Sequence, residues 1–272
     1  MRRKDCSMTT RIDMMRDASG HKPNPSFALC CSQVAREMEG VALKTNTISF
    51  STVYDAASSR RAEMFHYAMR DIAEEKSEIV NKIAPRLLSS EDVKAATLLY
   101  PQFHPVLGFW AKGFEIQKDH WMCALYGEAA SLKRDFVHYI MNLIILHPDF
   151  RKVASKKDIS RGPIHTLDLS SSLPESWSIL EQSEVTSIAL TSRTTVHPDR
   201  FCYNPHVDYA YSAAAVAIDY LRSLPEAQRR ALGTIILTED HKSVAHPESH
   251  ARGLIPYCQQ YRNLRVKRHV SF

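Results

Sequence analysis

Apolar residues recur along this chain in two periods, and the switches between them outline its elements. Residues 1–22 follow neither period and are expected to form a disordered N-terminal tail. Pro23, Asn24 and Pro25 punctuate the chain, and Ser26 stands where an N-cap would. Phe27, Cys30, Val34, Met38 and Val41 then recur at three- and four-residue steps, which predicts a helix. Residues 47–53 alternate with β-branched side chains and predict a strand. From Ser58 or Ser59 onward, Ala62, Phe65, Met69, Ile72, Ile79 and Ile83 form one apolar helical face. That face breaks at Lys76, which leaves one helix or two open, and Glu74, Glu75, Lys76 and Glu78 read as its solvated side. Pro85 interrupts the pattern. Ser90 caps a shorter helix over 91–100 with Pro101 as its stop, and Ser131 caps a strong one carrying Leu132, Phe136, Ile140, Leu143 and Ile144, ended by Pro148.

The character changes over 151–185, where periodicity is weak and Lys, Ser and Pro accumulate. This stretch reads as a linker or insertion with a short strand at 164–169. A second short strand is expected at 187–191. Ser212 opens a helix carrying Val216, Tyr220 and Leu224, Pro225 starts another, and Gly233 ends it. Residues 234–238 predict a buried strand, Pro247 opens a helix through Leu254 and Cys258, and 264–270 alternate as a final strand. The helix–strand order over 212–270 implies strands side by side with helices on one face, joined by right-handed crossovers if parallel. The expected fold is therefore a helix-rich α/β fold around a small sheet of the 47–53, 187–191, 234–238 and 264–270 strands, in an order the pattern leaves open. Its expected parts are the tail, a helical lobe with one strand over 23–150, the 151–185 linker, and a helix–strand lobe over 186–272 packed against the first.

Composition narrows the function classes. At 272 residues with 44 % hydrophobic and 24 % charged residues, the chain can bury a core without staples. Only 8 glycines favour helices over a turn-rich all-β fold. The six cysteines have no disulfide-framework spacing and read as buried free thiols. The net charge of +5 is concentrated at the two ends, in Arg2, Arg3, Lys4, Arg262, Arg265, Lys267 and Arg268, which reads as solvated termini rather than a nucleic-acid face. There is no signal-peptide pattern and no apolar run of about 20 residues, so the cytoplasm or nucleus is expected and no membrane partner.

Recognisable catalytic chemistry is missing from the pattern. No phosphate-cradling glycine loop, no Gly-x-Ser-x-Gly elbow and no Cys-x-x-Cys pair occurs, so no cofactor is expected. The aromatic segment 103–126, with Phe109, Trp110, Phe114, Trp121 and Tyr126, reads as packing between helices rather than a ligand pocket. His197, Cys202 and His206 have metal-binding side chains but no finger spacing and no fourth ligand. The best cluster follows the 234–238 strand: Glu239, Asp240 and His241, then His246, Glu248 and His250. Sites assemble at strand ends in α/β folds, so His241, His246, Glu248 and His250 are the candidates for a metal or catalytic site. The competing reading is structural, because acidic residues gather at helix starts to satisfy free amides, and Glu248 stands beside Pro247.

Several words of the sequence are shared with a wider group. The run from Ser212 to Ile218, Ser223-Leu224-Pro225, Ile236 to Asp240, Ser243-Val244-Ala245 and Pro247 to Pro256 resemble a family of uncharacterised proteins from filamentous ascomycete fungi, and Leu29 to Thr52 fits the same group. The resemblance spans about 26–270. Many relatives resemble F-box-like fungal proteins, in which a Leu-Pro-x-Glu helical motif precedes an irregular leucine-rich-repeat-like array of helices and strands. The resemblance implies a protein-interaction role. In an F-box the Leu-Pro-x-Glu motif would hold a Skp1-type adaptor, and residues 1–25 contain no such segment. The leading expectation is a non-enzymatic protein–protein interaction scaffold, and the alternative is an enzyme or metal-binding protein using the loop from His241 to His250.

Overall fold

A computed structural model describes residues 43–44, 47–52, 56–117, 130–156, 162–171, 174–191, 209–239 and 243–271. Three strands make its sheet: β1 (Thr47–Ser51), β2 (Thr234–Glu239) and β3 (Arg265–Val270), all parallel and in the order β1-β2-β3. Three of the four expected strands are therefore present, and their order is now fixed. The register aligns Ile48 with Ile235 and Val266, and Phe50 with Leu237 and Arg268. Because side chains alternate along a strand, these rows fall on one face. Ile235 and Leu237 are fully buried there, while Thr47, Ser49, Arg265, Lys267 and His269 on the other face are exposed.

The helices explain which face is covered. They are α1 (Ala56–Leu87), α2 (Ser90–Leu99), α3 (His104–Ala111), α4 (Ala130–Leu146), α5 (Phe150–Ala154), α6 (Pro163–Ser171), α7 (Gln182–Thr191), α8 (Ala213–Ser223), α9 (Glu226–Ala231) and α10 (Ile255–Gln260). Helix α8 lies on the apolar sheet face, with Ala213, Ala214, Ala217, Ile218 and Leu221 buried against Ile235 and Leu237. Tyr220 of α8 meets Phe50 at a ring separation of 5.5 Å. Between β2 and β3 the chain crosses over through a 3-10 helix (Pro247–Leu254) and α10, as parallel pairing requires. Where that 3-10 helix meets α8, Gly253 leaves no room for a side chain: a Cβ there would sit 2.6 Å from Ile218 Cδ1 and 2.6 Å from Trp177 Cε2. Gly253→Ala is expected to destabilise the chain by about 1–3 kcal/mol through overpacking, read as a lower urea midpoint at unchanged slope.

The second core is helical. Helix α1 runs unbroken for 32 residues, and α3, α4, α5, α6 and α7 all pack on it. Phe136 of α4 stacks on Phe103 at 4.0 Å and lies parallel to Trp110 at 5.9 Å. The buried Asn81 side chain ties this core to the turn after α3. It donates to the Ile116 carbonyl at 2.8 Å and accepts from Trp110 Nε1 and the Ile116 amide. Pro85 is accommodated in the last turn of α1, where only two more helical residues follow.

Several sequence expectations are corrected. The 164–169 strand is helical, inside α6: Pro163 opens the helix, Thr166 bonds back to the Gly162 carbonyl through both its amide and its hydroxyl, and Thr166 and Leu169 are buried at helical spacing. The 187–191 strand is the second half of α7, whose buried Val185 and Ala189 face α1 four residues apart. Short apolar runs of this length do not distinguish strand from helix by period alone. Glu75 and Lys76 are buried rather than solvated, because neighbours cover α1 on more than one side. The cap of α2 is Ser89, one residue earlier than expected, and it forms a reciprocal capping box with Asp92. Of the aromatic segment, Trp110 is core but Phe109 and Phe114 are exposed. Trp121, Tyr126, the helix expected over 27–41 and the set His197, Cys202 and His206 lie outside the described residues.

Candidate functional site

Parallel strands bring their carboxyl ends to one edge of the sheet, and the buried polar groups of the C-terminal half collect there. Glu239 ends β2 on the same face as Ile235 and Leu237, so its carboxylate is carried into the core, 3 % exposed. Helix α8 begins at that point with Ser212 as N-cap. Its first amides need acceptors. Ala213 N donates to Glu239 Oε2 at 3.0 Å, Ala214 N to Oε1 at 3.3 Å, and Ala215 N to Ser212 Oγ at 3.0 Å. Thr52, just past β1, donates its hydroxyl to Glu239 Oε2 at 3.2 Å. Arg268 of β3 places Nε 3.7 Å from Glu239 Oε1 and donates from Nη2 to the Pro247 carbonyl. One carboxylate thus joins all three strands to the helix start.

His250 completes this arrangement from the 3-10 helix. Its Nε2 donates to the Ala245 carbonyl at 2.8 Å, so Nδ1 is the free lone pair and accepts the Ser212 hydroxyl at 2.7 Å. Burial pushes the imidazole down to about 4, against the raising effect of the Ala245 bond and of Glu248. Ala245 and His246 are both left-handed, with φ of 56° and 62°. Each such non-glycine residue costs about 1–3 kcal/mol. The surroundings hold them: Ala245 N donates to His66 Nδ1, and the His246 carbonyl accepts from Ser249 N and Oγ. Ser249 Oγ also meets Ser176 Oγ at 3.1 Å.

A serine hydroxyl bonded to a neutral imidazole is the core of a nucleophile–base pair. Here both partners are fully buried, and the first two amides of α8 beside Ser212 are already taken by Glu239. The pair acts as a lock on the start of α8. The sequence candidates divide accordingly. His246 and Glu248 meet at the surface, 3.6 Å apart and half exposed, while His250 turns inward away from them. His241 lies outside the described residues. Among the described residues no group of three or more His, Cys, Asp or Glu side chains could hold a metal ion. Thr52, His66 and Arg268 carry no signal for this site in the sequence; Glu239 stands in the expected cluster but not among its four candidates, although the alternation Ile235, Leu237, Glu239 already puts the glutamate on the core face.

A second feature lies on the helical half. Leu98 and Leu99 end α2, Phe109 sits on α3 and Phe114 follows its turn. All four are exposed, Leu98 at 85 % and Phe114 at 60 %, and α2 packs directly on α3. The other large exposed apolar residues, such as Leu146, Ile164 and Leu190, are spread over separate elements. No helix among the described residues is long and apolar enough to cross a membrane. No family model, no curated protein and no solved structure matches this chain.

Proposed function

We propose that this chain is a non-enzymatic protein–protein interaction module that offers the segment from α2 through the turn after α3 to a partner. The observation that carries the reading is the exposure of Leu98, Leu99, Phe109 and Phe114 in one helix–turn–helix segment. Exposed aromatic and aliphatic side chains concentrated in one short segment can anchor a partner, whereas singly scattered ones need no explanation. The buried Ser212–His250 pair is consistent with it, since that chemistry serves the fold. The resemblance to F-box-like fungal proteins points the same way.

The test compares the tagged full chain with the variant Leu98→Ser/Phe109→Ser/Phe114→Ser. All three positions are exposed, so the variant is expected to unfold within about 1 kcal/mol of the parent, because surface changes are usually that small. Proteins co-purifying with the parent and identified by mass spectrometry should be lost from the variant. Recovery of the same set by both chains would count against this surface.

A further inference from the structure

We propose that the outer edge of β3 takes one added strand, an extended acidic segment of a partner protein whose carboxylates recur at every second residue. The first observation is the open edge. Strand β3 ends the sheet on one side, with β2 as its neighbour. Arg265 N donates to the Gly233 carbonyl, and Ser271 N to the Glu239 carbonyl. Main-chain groups alternate in direction along a strand, so those of Val266, Arg268 and Val270 turn away from β2. Such an edge is a template for a further strand, which gains affinity from main-chain hydrogen bonds.

The second observation is the charge of the sheet face beside that edge. Helix α8 covers the face that carries Ile235 and Leu237. On the opposite face the register sets Thr47, Thr234 and Arg265 in one row and Ser49, Ile236 and Lys267 in the next. Ser51, Thr238 and His269 make the third. Arg265, Lys267 and His269 are exposed, and no acidic residue stands in the three rows. Arg268, on the core face, lies 3.7 Å from Glu239, but among the described residues no carboxylate pairs with Arg265, Lys267 or His269. These three stand two residues apart, about 6–7 Å along the strand, which is the spacing of side chains on one face of any strand laid beside them. An acidic residue at every second position of the added strand therefore meets each of them in turn as a cross-strand pair. Val270, 45 % exposed at the end of β3, offers the intervening side chains an apolar contact.

These features choose between occupants. A second copy pairing its β3 with this one would set the basic row against itself, and like charges across a ladder repel. A nucleic-acid strand could use the cations but not the main-chain edge, and the three rows hold no Phe, Tyr or Trp on which bases stack. An acidic strand uses both the edge and the charge. None of these residues lies in the segment from α2 through the turn after α3, so the two surfaces are separate.

The experiment measures, by fluorescence anisotropy with the full chain, the binding of a labelled peptide in which Glu alternates with Val. Binding is expected, and it should weaken as salt rises, because the paired charges are exposed. N-methylation of every second peptide amide should abolish binding in one phase and spare it in the other, since only one set of amides faces β3. Arg265→Glu/Lys267→Glu should bind the peptide at least about tenfold more weakly and should instead take the peptide with Lys in place of Glu. That exchange also shows that the variant is folded. No binding by the parent at low salt would overturn the site, as would equal binding of both N-methylated phases. Unchanged affinity in the double variant, or failure of the exchange, would overturn the role of the basic row. Labelled oligothymidylate binding more tightly than the peptide, and lost in the same variant, would assign the row to a nucleic acid and overturn the proposal.

Discussion

Glu239→Ala is expected to cost about 4 kcal/mol of folding stability, out of the roughly 5–15 kcal/mol available to a domain. The substitution removes the acceptor for Ala213 N, Ala214 N and the Thr52 hydroxyl at once, and leaves Arg268 without the carboxylate 3.7 Å away. Ala213 and Ala214 are fully buried, so water cannot take over their amides. Each orphaned donor costs about 1–3 kcal/mol, and partial relaxation keeps the total below their sum. Glu239→Gln should lie between, since the amide oxygen can accept one N–H while its NH2 is turned toward other donors. Urea unfolding followed by circular dichroism measures both. A Glu239→Ala midpoint corresponding to less than about 1 kcal/mol of loss would mean that the start of α8 finds other acceptors.

Acid should weaken the fold through His250. Its ordinary value is 6.5 and the folded value about 4. Below pH 6.5 the unfolded chain therefore takes up a proton that the folded chain refuses until about pH 4. The contribution is complete above pH 6.5 and is lost as pH falls between these limits, to a total of about 3 kcal/mol. The physical event is the loss of the Nδ1 lone pair that accepts the Ser212 hydroxyl, in a place with no water to solvate the cation. His250→Gln has a cost of its own at neutral pH but cannot titrate, so the gap between parent and variant should narrow by about 3 kcal/mol from pH 7 to about pH 4. Parallel curves would exclude His250 as the source. The ring resonance of His250 should also stay at its neutral position down to about pH 5.

The sheet was legible where the chain alternates and turn residues flank it. Strands β1, β2 and β3 lie within the expected 47–53, 234–238 and 264–270 to within a residue or two. The two strands that became α6 and α7 failed for a specific reason. Their β-branched residues, among them Ile164, Thr166 and Ile188, suit either period, and burial against α1 selected the helix. Lys76 failed differently: a break in an apolar stripe means solvent only when one side of a helix is covered, and α1 is covered on several. The polar cluster was half legible. Ser212 as a cap and the 246–250 stretch as a structural helix start could be read, but the bond between Ser212 and His250 joins residues 38 apart and is set by tertiary packing. No glycine marks the left-handed turn at Ala245 and His246, so nothing local announced it.

The order of strands in the chain has a consequence for synthesis. Thr52 meets Glu239 across 187 residues of sequence. A ribosome adding about 5–20 residues per second leaves β1 waiting on the order of 10–40 s for the strand it pairs with. The helices α1 to α4 can settle meanwhile from contacts made along a shorter stretch. During that interval β1 offers Ile48 and Phe50 on an edge with no neighbour in the sheet, a state in which nascent chains recruit holding chaperones or misassociate. Yield in cells should therefore respond more to chaperone supply and elongation rate than the equilibrium stability of the finished chain would suggest.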